Sequence, residues 1–396
     1  MPTFIEQSIK TLPISIANAI CTNYLNNGAN RVNKEFEHGF LYGGILVSGF
    51  CQWLNNFARN NEVDQIWFLA RDMDIVNQTY CCHYNQFDSC YVRISRCAAM
   101  ELNVEEYPTD FFNYHFYGNA CAGTIRIGQA LEEARLDVLK EKLWECGLKT
   151  EEKLTLENLD VLREFYLDHI NEVCEVFAPA VESAMAYFTQ VLSGHRRICI
   201  ADLGWNGTIM MELKRFLRRK NFPIDEMFCV MMGATSNPIT NDLISSGQLK
   251  TYLYSGVQET GLALREGTEK GNTQMMCLEA MFSSAESSLL RYDLDENGRP
   301  CLIDGNATVL PWQILEIQRG ILFFAEQYSE QVKVFPCTLD IYPKDAFAPY
   351  LTIADDFQYL YLLFESVKEY EDGNAIAGDE KRLTTLGNIM RSRGLI

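Results

Sequence analysis

Two stretches of this chain read alike, IWFLARDMDIV at 66–76 and ICIADLGWNGT at 198–208. Each is an apolar run of strand length that stops on charge or glycine and opens into a helical pattern. Packing gives no reason for a buried strand to end on Arg71, Asp72 and Asp74, or on Asp202 followed by Gly204 and Gly207. A strand followed by a helix cannot join its neighbour through a tight hairpin, so repeated strand–helix units call for crossover connections and a parallel sheet. Both strand ends then fall on one edge of the sheet, where together they can build one site.

The rest of the chain fits that frame. Residues 41–58 carry Tyr42, Ile45, Leu46, Phe50, Trp53, Leu54 and Phe57 at helical spacing. A strand at 65–70, a short helix near 74–81 and a strand at 91–95 (YVRIS) follow. The sheet pattern returns at 196–202, 226–234 and 249–255, and polar turns containing glycine stand near 293–298 and 371–378. The expected fold is α/β, an open, mostly parallel Rossmann-like sheet with a large helical insertion and a helical C-terminal region. Residues 1–100 form the first half of the core, 101–192 a helical insertion or cap, 193–305 the second half of the core, and 306–396 the C-terminal helices. The strands at 65–70 and 197–202 should lie parallel in one sheet, and the two helical segments should wall the cleft at their carboxyl ends.

Charge and composition remove several classes of function. Lys and Arg total 34 against 53 Asp and Glu, a net charge of −19. Sequence-independent nucleic-acid binding and binding to an anionic membrane need the opposite sign. No window nears the roughly 20 apolar residues of a membrane span, and the first 25 residues lack the order of a secretory signal, so a cytoplasmic protein is expected. The 14 cysteines never form CxxC and the five histidines show no HxH or HExxH spacing, which argues against structural zinc and a disulfide framework.

At the carboxyl edge of a parallel sheet the following helices present unpaired N–H groups and a partial positive charge, a natural seat for phosphate or carboxylate. Gly204 and Gly207 permit close backbone approach, and Thr208 can bond an anion or cap the helix. The segment DMDIV at 72–76 also fits the DxDx[TV] string of haloacid-dehalogenase-type phosphatases, with Asp72 as nucleophile, Asp74 as proton shuttle and Mg²⁺ between them. Arg71 stands where that string is usually apolar. The strings GxxxxGK[ST], GxGxxG and GxSxG are absent.

Five motifs in order, LYGGILVSGFCQWL, IWFLARD, YVRISRCAAM, IADLGWNGT and CLEAMFSSAESSLLRY, lie between residues 41 and 292, within a resemblance that runs from about residue 36 to about 370. This set resembles a bacterial family met as the region downstream of a haloacid-dehalogenase-like domain in surface-polysaccharide loci. The resemblance implies a site built from Arg71 and Asp72, Ser95 and Arg96, Asp202, Gly204, Trp205, Gly207 and Thr208, and Glu279. Asp72, Asp202 and Glu279 are its candidate catalytic carboxylates. Arg71, Ser95, Arg96, Gly204, Trp205, Gly207 and Thr208 are its candidate phosphate or substrate contacts, with Arg71 and Arg96 as the anion clamp. Asp72, Asp74 and Asp202 are the candidate Mg²⁺ ligands. Two departures stand out: Met73 replaces the glycine expected after Arg-Asp, and the first 35 residues are too few for the upstream phosphatase domain and hold no DxDxT. Three functions remain open: an enzyme acting on a phosphorylated sugar or nucleotide-sugar, a dehalogenase-type phosphohydrolase using Asp72, and a non-catalytic binding or scaffold partner of glycosyltransferases.

Overall fold

In the computed structural model, residues 15–27, 32–255, 275, 278–305 and 310–346 are described. Helices α1 (Ile16–Asn26) and α2 (Lys34–His38) lead through a π-helical turn, Gly39–Gly43, into α3 (Gly44–Asn60). Leu46, Phe50 and Leu54, spaced by four, form part of the buried face of α3. Strand β1 (Gln65–Leu69), α4 (Asp74–His83) and β2 (Asp88–Val92) follow. Next come α5 (Arg96–Glu101) and a helical insertion with α6 (Pro108–Phe112), α7 (Gly118–Ala122), α8 (Ile127–Glu133), α9 (Leu156–Asp168) and α10 (Ile170–Leu192). The sheet is completed by β3 (Arg197–Asp202), α11 (Thr208–Arg219), β4 (Glu226–Ala234), α12 (Pro238–Ser245) and β5 (Leu249–Ser255). A hairpin, β6 (Leu289–Leu294) with β7 (Pro300–Asp304), precedes the long helix α13 (Trp312–Val334).

All five core strands are parallel, in the order β2-β1-β3-β4-β5. The expected pairing of the two motif strands is present, with Phe68 opposite Ala201. A parallel sheet covered on both faces needs strands that are apolar throughout, and every residue of β1 is buried. Alternate side chains go to opposite faces. Ile66 and Phe68 join one core with α3, α4 and α13, while Trp67 and Leu69 join a second with α5, α10 and α11.

This order makes β1 and β3 the point where the chain reverses direction across the sheet. Helix α4 crosses on one face, and α10, α11 and α12 cross on the other. In open α/β sheets the crevice outside the carboxyl ends at such a switch is where ligands bind. The topology therefore puts the crevice between the turn after β1 and the loop after β3.

The insertion has its own core, including Phe111, Phe112, Leu139, Leu162 and Phe177. Helix α10 joins it to the sheet. At 23 residues it is about 35 Å long, against about 20 Å for six-residue β3. Its C-terminal Phe188 and Leu192 lie on the sheet, so Val173 and Phe177 in its N-terminal half carry the insertion core beyond the carboxyl edge. The β6–β7 hairpin departs from the sequence reading, which expected only its turn. Its strands are too short for a clear alternation, and buried Tyr292 docks it on α10. Helix α13 accounts for the helical signal after 306, and the turn expected near 371–378 lies outside the described residues. Among the described residues no helix is long and apolar enough to cross a membrane.

Helix α13 crosses the π-helical turn at backbone contact. A Cβ on Gly39 would stand 1.8 Å from the carbonyl oxygen of Ile317, and one on Gly320 2.2 Å from that of Phe36. Neither carbonyl can turn away without breaking a helix. Gly39→Ala is expected to lower the unfolding free energy by about 3 kcal/mol in a urea titration. Gly118→Ala, where a Cβ meets nothing within 4 Å, serves as the control and should be neutral.

Candidate functional site

A turn over Ala70–Met73 carries β1 into α4. It is closed by the Met73 N–H donating to the Leu69 carbonyl (3.3 Å) and the Asp74 N–H to the Arg71 carbonyl (3.0 Å). Met73 has φ −92° and ψ 9°, a conformation open to any residue, and its side chain is fully buried in the core. The turn is thus made without glycine, and Met73 acts as its apolar plug. Arg71 and Asp72 stand half-buried at the crest. The Arg71 guanidinium donates to the Glu286 carbonyl (3.4 Å), and the Tyr91 hydroxyl donates to the Arg71 carbonyl (3.4 Å). Asp74 opens α4, where the helix dipole favours an acid. Its carboxylate accepts from Gln78 Nε2 (3.0 Å) and Ser284 Oγ (2.9 Å).

The loop after β3 is held from three sides. Gly204 has φ +153°, and a Cβ there would lie 2.5 Å from the Gly233 carbonyl, so the loop is pressed against the end of β4. The Trp205 carbonyl accepts from the Thr235 N–H (2.9 Å) and its hydroxyl (3.2 Å). The Trp205 ring stacks on Tyr254 at 5.9 Å and 13°, and its Nε1 donates to Glu279 Oε1 at 2.5 Å. Trp205 is therefore a buried clamp under the loop that fixes Glu279. Gly207, at φ +71°, turns the chain into α11, whose first residue is Thr208.

Asp202 closes β3, is 8% exposed, and accepts a hydrogen bond from the Leu203 N–H (2.9 Å). Burial raises its carboxyl from 3.8 to about 7; the Leu203 N–H and the Arg96 charge oppose that shift, and Glu279 adds to it. Such a group can give or take a proton at neutral pH. Arg96 is exposed as the first residue of α5, while Ser95 caps that helix by accepting from the Ala98 N–H (3.1 Å). The structure thus gathers Asp202, Arg96, Trp205, Glu279 and the start of α11 around the end of β3, with Arg71 and Asp72 in the turn after the neighbouring strand β1. Ser95 is engaged as a cap, and Asp74 is turned to Ser284. Among the described residues no group of three or more His, Cys, Asp or Glu side chains is placed together to hold a metal ion.

Apart from Glu279, sequence reading passed over the residues that close this edge. Residues 278–288 run as a strap past the carboxyl ends of β3, β1 and β2, tied by Glu279 to Trp205, by Ser284 to Asp74 and by Glu286 to Arg71. At β2, Arg93 pairs with Glu286 (2.9 Å) and Asp304 (2.5 Å) and donates to the Ser287 carbonyl (3.1 Å). Gln318 of α13 supports the strap by donating to the carbonyls of Met281 (3.2 Å) and Ser283 (2.7 Å). The available signals were an arginine inside the apolar YVRIS run and the polar SSAESS between two apolar segments. Arg93→Met leaves two carboxylates without their cation at a partly buried point. It should cost about 2 kcal/mol, less than a fully buried pair, and the loss should shrink in high salt. A urea titration at two ionic strengths checks both parts. In comparisons with known proteins, no protein-family model matches the chain and no curated protein matches it.

Proposed function

We propose that the crevice between β1 and β3 binds a phosphorylated sugar or nucleotide-sugar and catalyses phosphoryl or glycosyl transfer on it, the role in bacterial surface-polysaccharide assembly that the family resemblance implies. One observation carries the reading: a buried carboxyl poised near neutrality, Asp202, sits beside an exposed arginine, Arg96, at the switch point of a parallel sheet. In this reading Arg96 and the N–H groups at the start of α11 hold the phosphate. Asp202 moves the proton, Asp72 faces the ligand from β1, and Trp205 fixes Glu279 at the rim.

The test is to incubate the protein with sugar phosphates and nucleoside-diphosphate sugars and to follow products by chromatography. Conversion should vary with pH around the Asp202 value, and Asp202→Asn should lower it roughly 10²–10⁴-fold. The covalent alternative needs Asp72 as nucleophile and Asp74 as its proton shuttle, yet the Asp74 carboxylate is already bonded to Ser284 and Gln78. A phosphoenzyme trapped in the native protein and absent from Asp72→Asn would favour the covalent route over acid–base catalysis by Asp202. Ligand binding without conversion of any compound would favour the scaffold role beside glycosyltransferases.

A further inference from the structure

At the amino edge of the sheet, opposite the crevice, a cavity of about 610 Å³ lies between the C-terminal parts of α3, α4 and α13. Its walls hold an unusual balance of hydrogen-bonding groups. Four side-chain amides line it, and every one of their oxygens is already used inside the protein. Gln52 Oε1 accepts from the Tyr328 hydroxyl (3.1 Å) and the Asp340 N–H (3.0 Å), and Asn55 Oδ1 accepts from the Tyr80 hydroxyl (2.7 Å). Asn56 Oδ1 and Gln86 Oε1 both accept from Arg59, at 3.0 and 2.6 Å.

The donors remain. Asn55 is 4% exposed and its Nδ2 donates to no described residue, although it lines the cavity. Gln86 Nε2 and Lys333 Nζ likewise have no acceptor among the described residues; no carboxylate is among the described lining residues, although the charges of Glu326 and Glu330 reach the lining His83. In a chain of net charge −19, a cavity lined by Arg59, Lys333 and spare amide N–H groups stands out electrostatically. A base in the last turn of each helix can be explained by the helix dipoles alone. The dipoles do not explain why buried Asn55 brings to the cavity an Nδ2 that has no acceptor among the described residues.

We infer that this cavity is a second binding site, for a small anionic metabolite that presents a carboxylate or phosphate group to Asn55, Arg59 and Lys333. Its volume falls within the range of small-molecule pockets. The site is distinct from the crevice, and its test does not depend on the function proposed for that crevice.

The experiment is calorimetric titration of the full chain with citrate and with inorganic phosphate, at fixed ionic strength. Saturable binding of at least one anion is expected. Arg59→Gln and Lys333→Met, both at exposed positions, should each weaken it about tenfold. Asn55→Asp keeps the shape and reverses the complementarity, and should abolish binding; because it sits in the core, its melting curve is recorded alongside. Arg96→Ala, at the crevice, should leave this binding unchanged. The inference is overturned if neither anion binds. It is equally overturned if binding survives both Arg59→Gln and Lys333→Met, or if Arg96→Ala removes it.

Discussion

Replacing Asp202 with asparagine is expected to end turnover and at the same time to stabilise the protein above neutral pH. The native state holds the Asp202 proton up to about pH 7, whereas the unfolded chain releases it near 3.8. Between those values the native state binds more protons, so stability falls as pH rises and the cost is fully present above pH 7. The shift corresponds to roughly 4 kcal/mol at most. Asparagine keeps the shape and an oxygen for the Leu203 N–H but has no charge to bury. Urea titrations at pH 5 and pH 8 should show the native protein losing stability relative to Asp202→Asn across that interval, while buried His38 and His115, held down to about 3 and about 4, stabilise both proteins as pH rises. Glu101, also pushed up to about 7 by burial, contributes to both proteins, so the difference between them isolates Asp202. Equal slopes would mean that Asp202 is already ionised and is not the acid–base group.

The second large effect is expected at Gly204. Alanine there sets a Cβ 2.5 Å from the Gly233 carbonyl, a backbone atom inside β4 that cannot retreat, at a φ of +153° that L side chains rarely adopt. The loop must lift, and with it Trp205 leaves Tyr254 and Glu279. A cost of about 3 kcal/mol, weakening of the tryptophan signal in near-ultraviolet circular dichroism by the share that Trp205 contributes, and loss of ligand binding should appear together. Gly207→Ala is the graded comparison: its φ is also positive, +71°, but a Cβ there makes only ordinary contacts from 3.4 Å outward. It should cost about 1 kcal/mol and keep the tryptophan signal. If the two variants behave alike, close packing against β4 is not what shapes the loop.

The parallel sheet was legible because β1 and β3 carry unbroken apolar runs, Ile66–Leu69 and Ile198–Ala201, and each strand leads into a helix. The convergence of Asp202 with the β1 turn followed from the same logic, since parallel neighbours end on one side. Arg71 shows where the reading ran short. The sequence marks it as an anion clamp, yet its guanidinium also holds the strap through the Glu286 carbonyl. No local pattern announces a contact between residues 215 positions apart. Met73 was read as a departure from the family pattern, and packing supplies the reason: the position needs an apolar plug and tolerates an ordinary φ. Ser95 fits both a phosphate contact and a helix cap in sequence, and only its bond to the Ala98 N–H separates the two. The β6–β7 hairpin escaped because two short strands beside a polar turn leave little periodicity to read.

We propose binding of a phosphate-bearing sugar in the crevice at the β1–β3 switch, through Arg96 and the start of α11. It is tested most directly by calorimetric titration of a panel of nucleoside-diphosphate sugars and sugar phosphates into the native protein and into Arg96→Ala. Arg96 is exposed, so its removal should leave the melting temperature unchanged. Saturable binding of at least one compound is expected, weakened at least tenfold in Arg96→Ala by the loss of a charge-assisted contact. Binding of equal strength in both proteins, or no binding of any compound to the native protein, would contradict it.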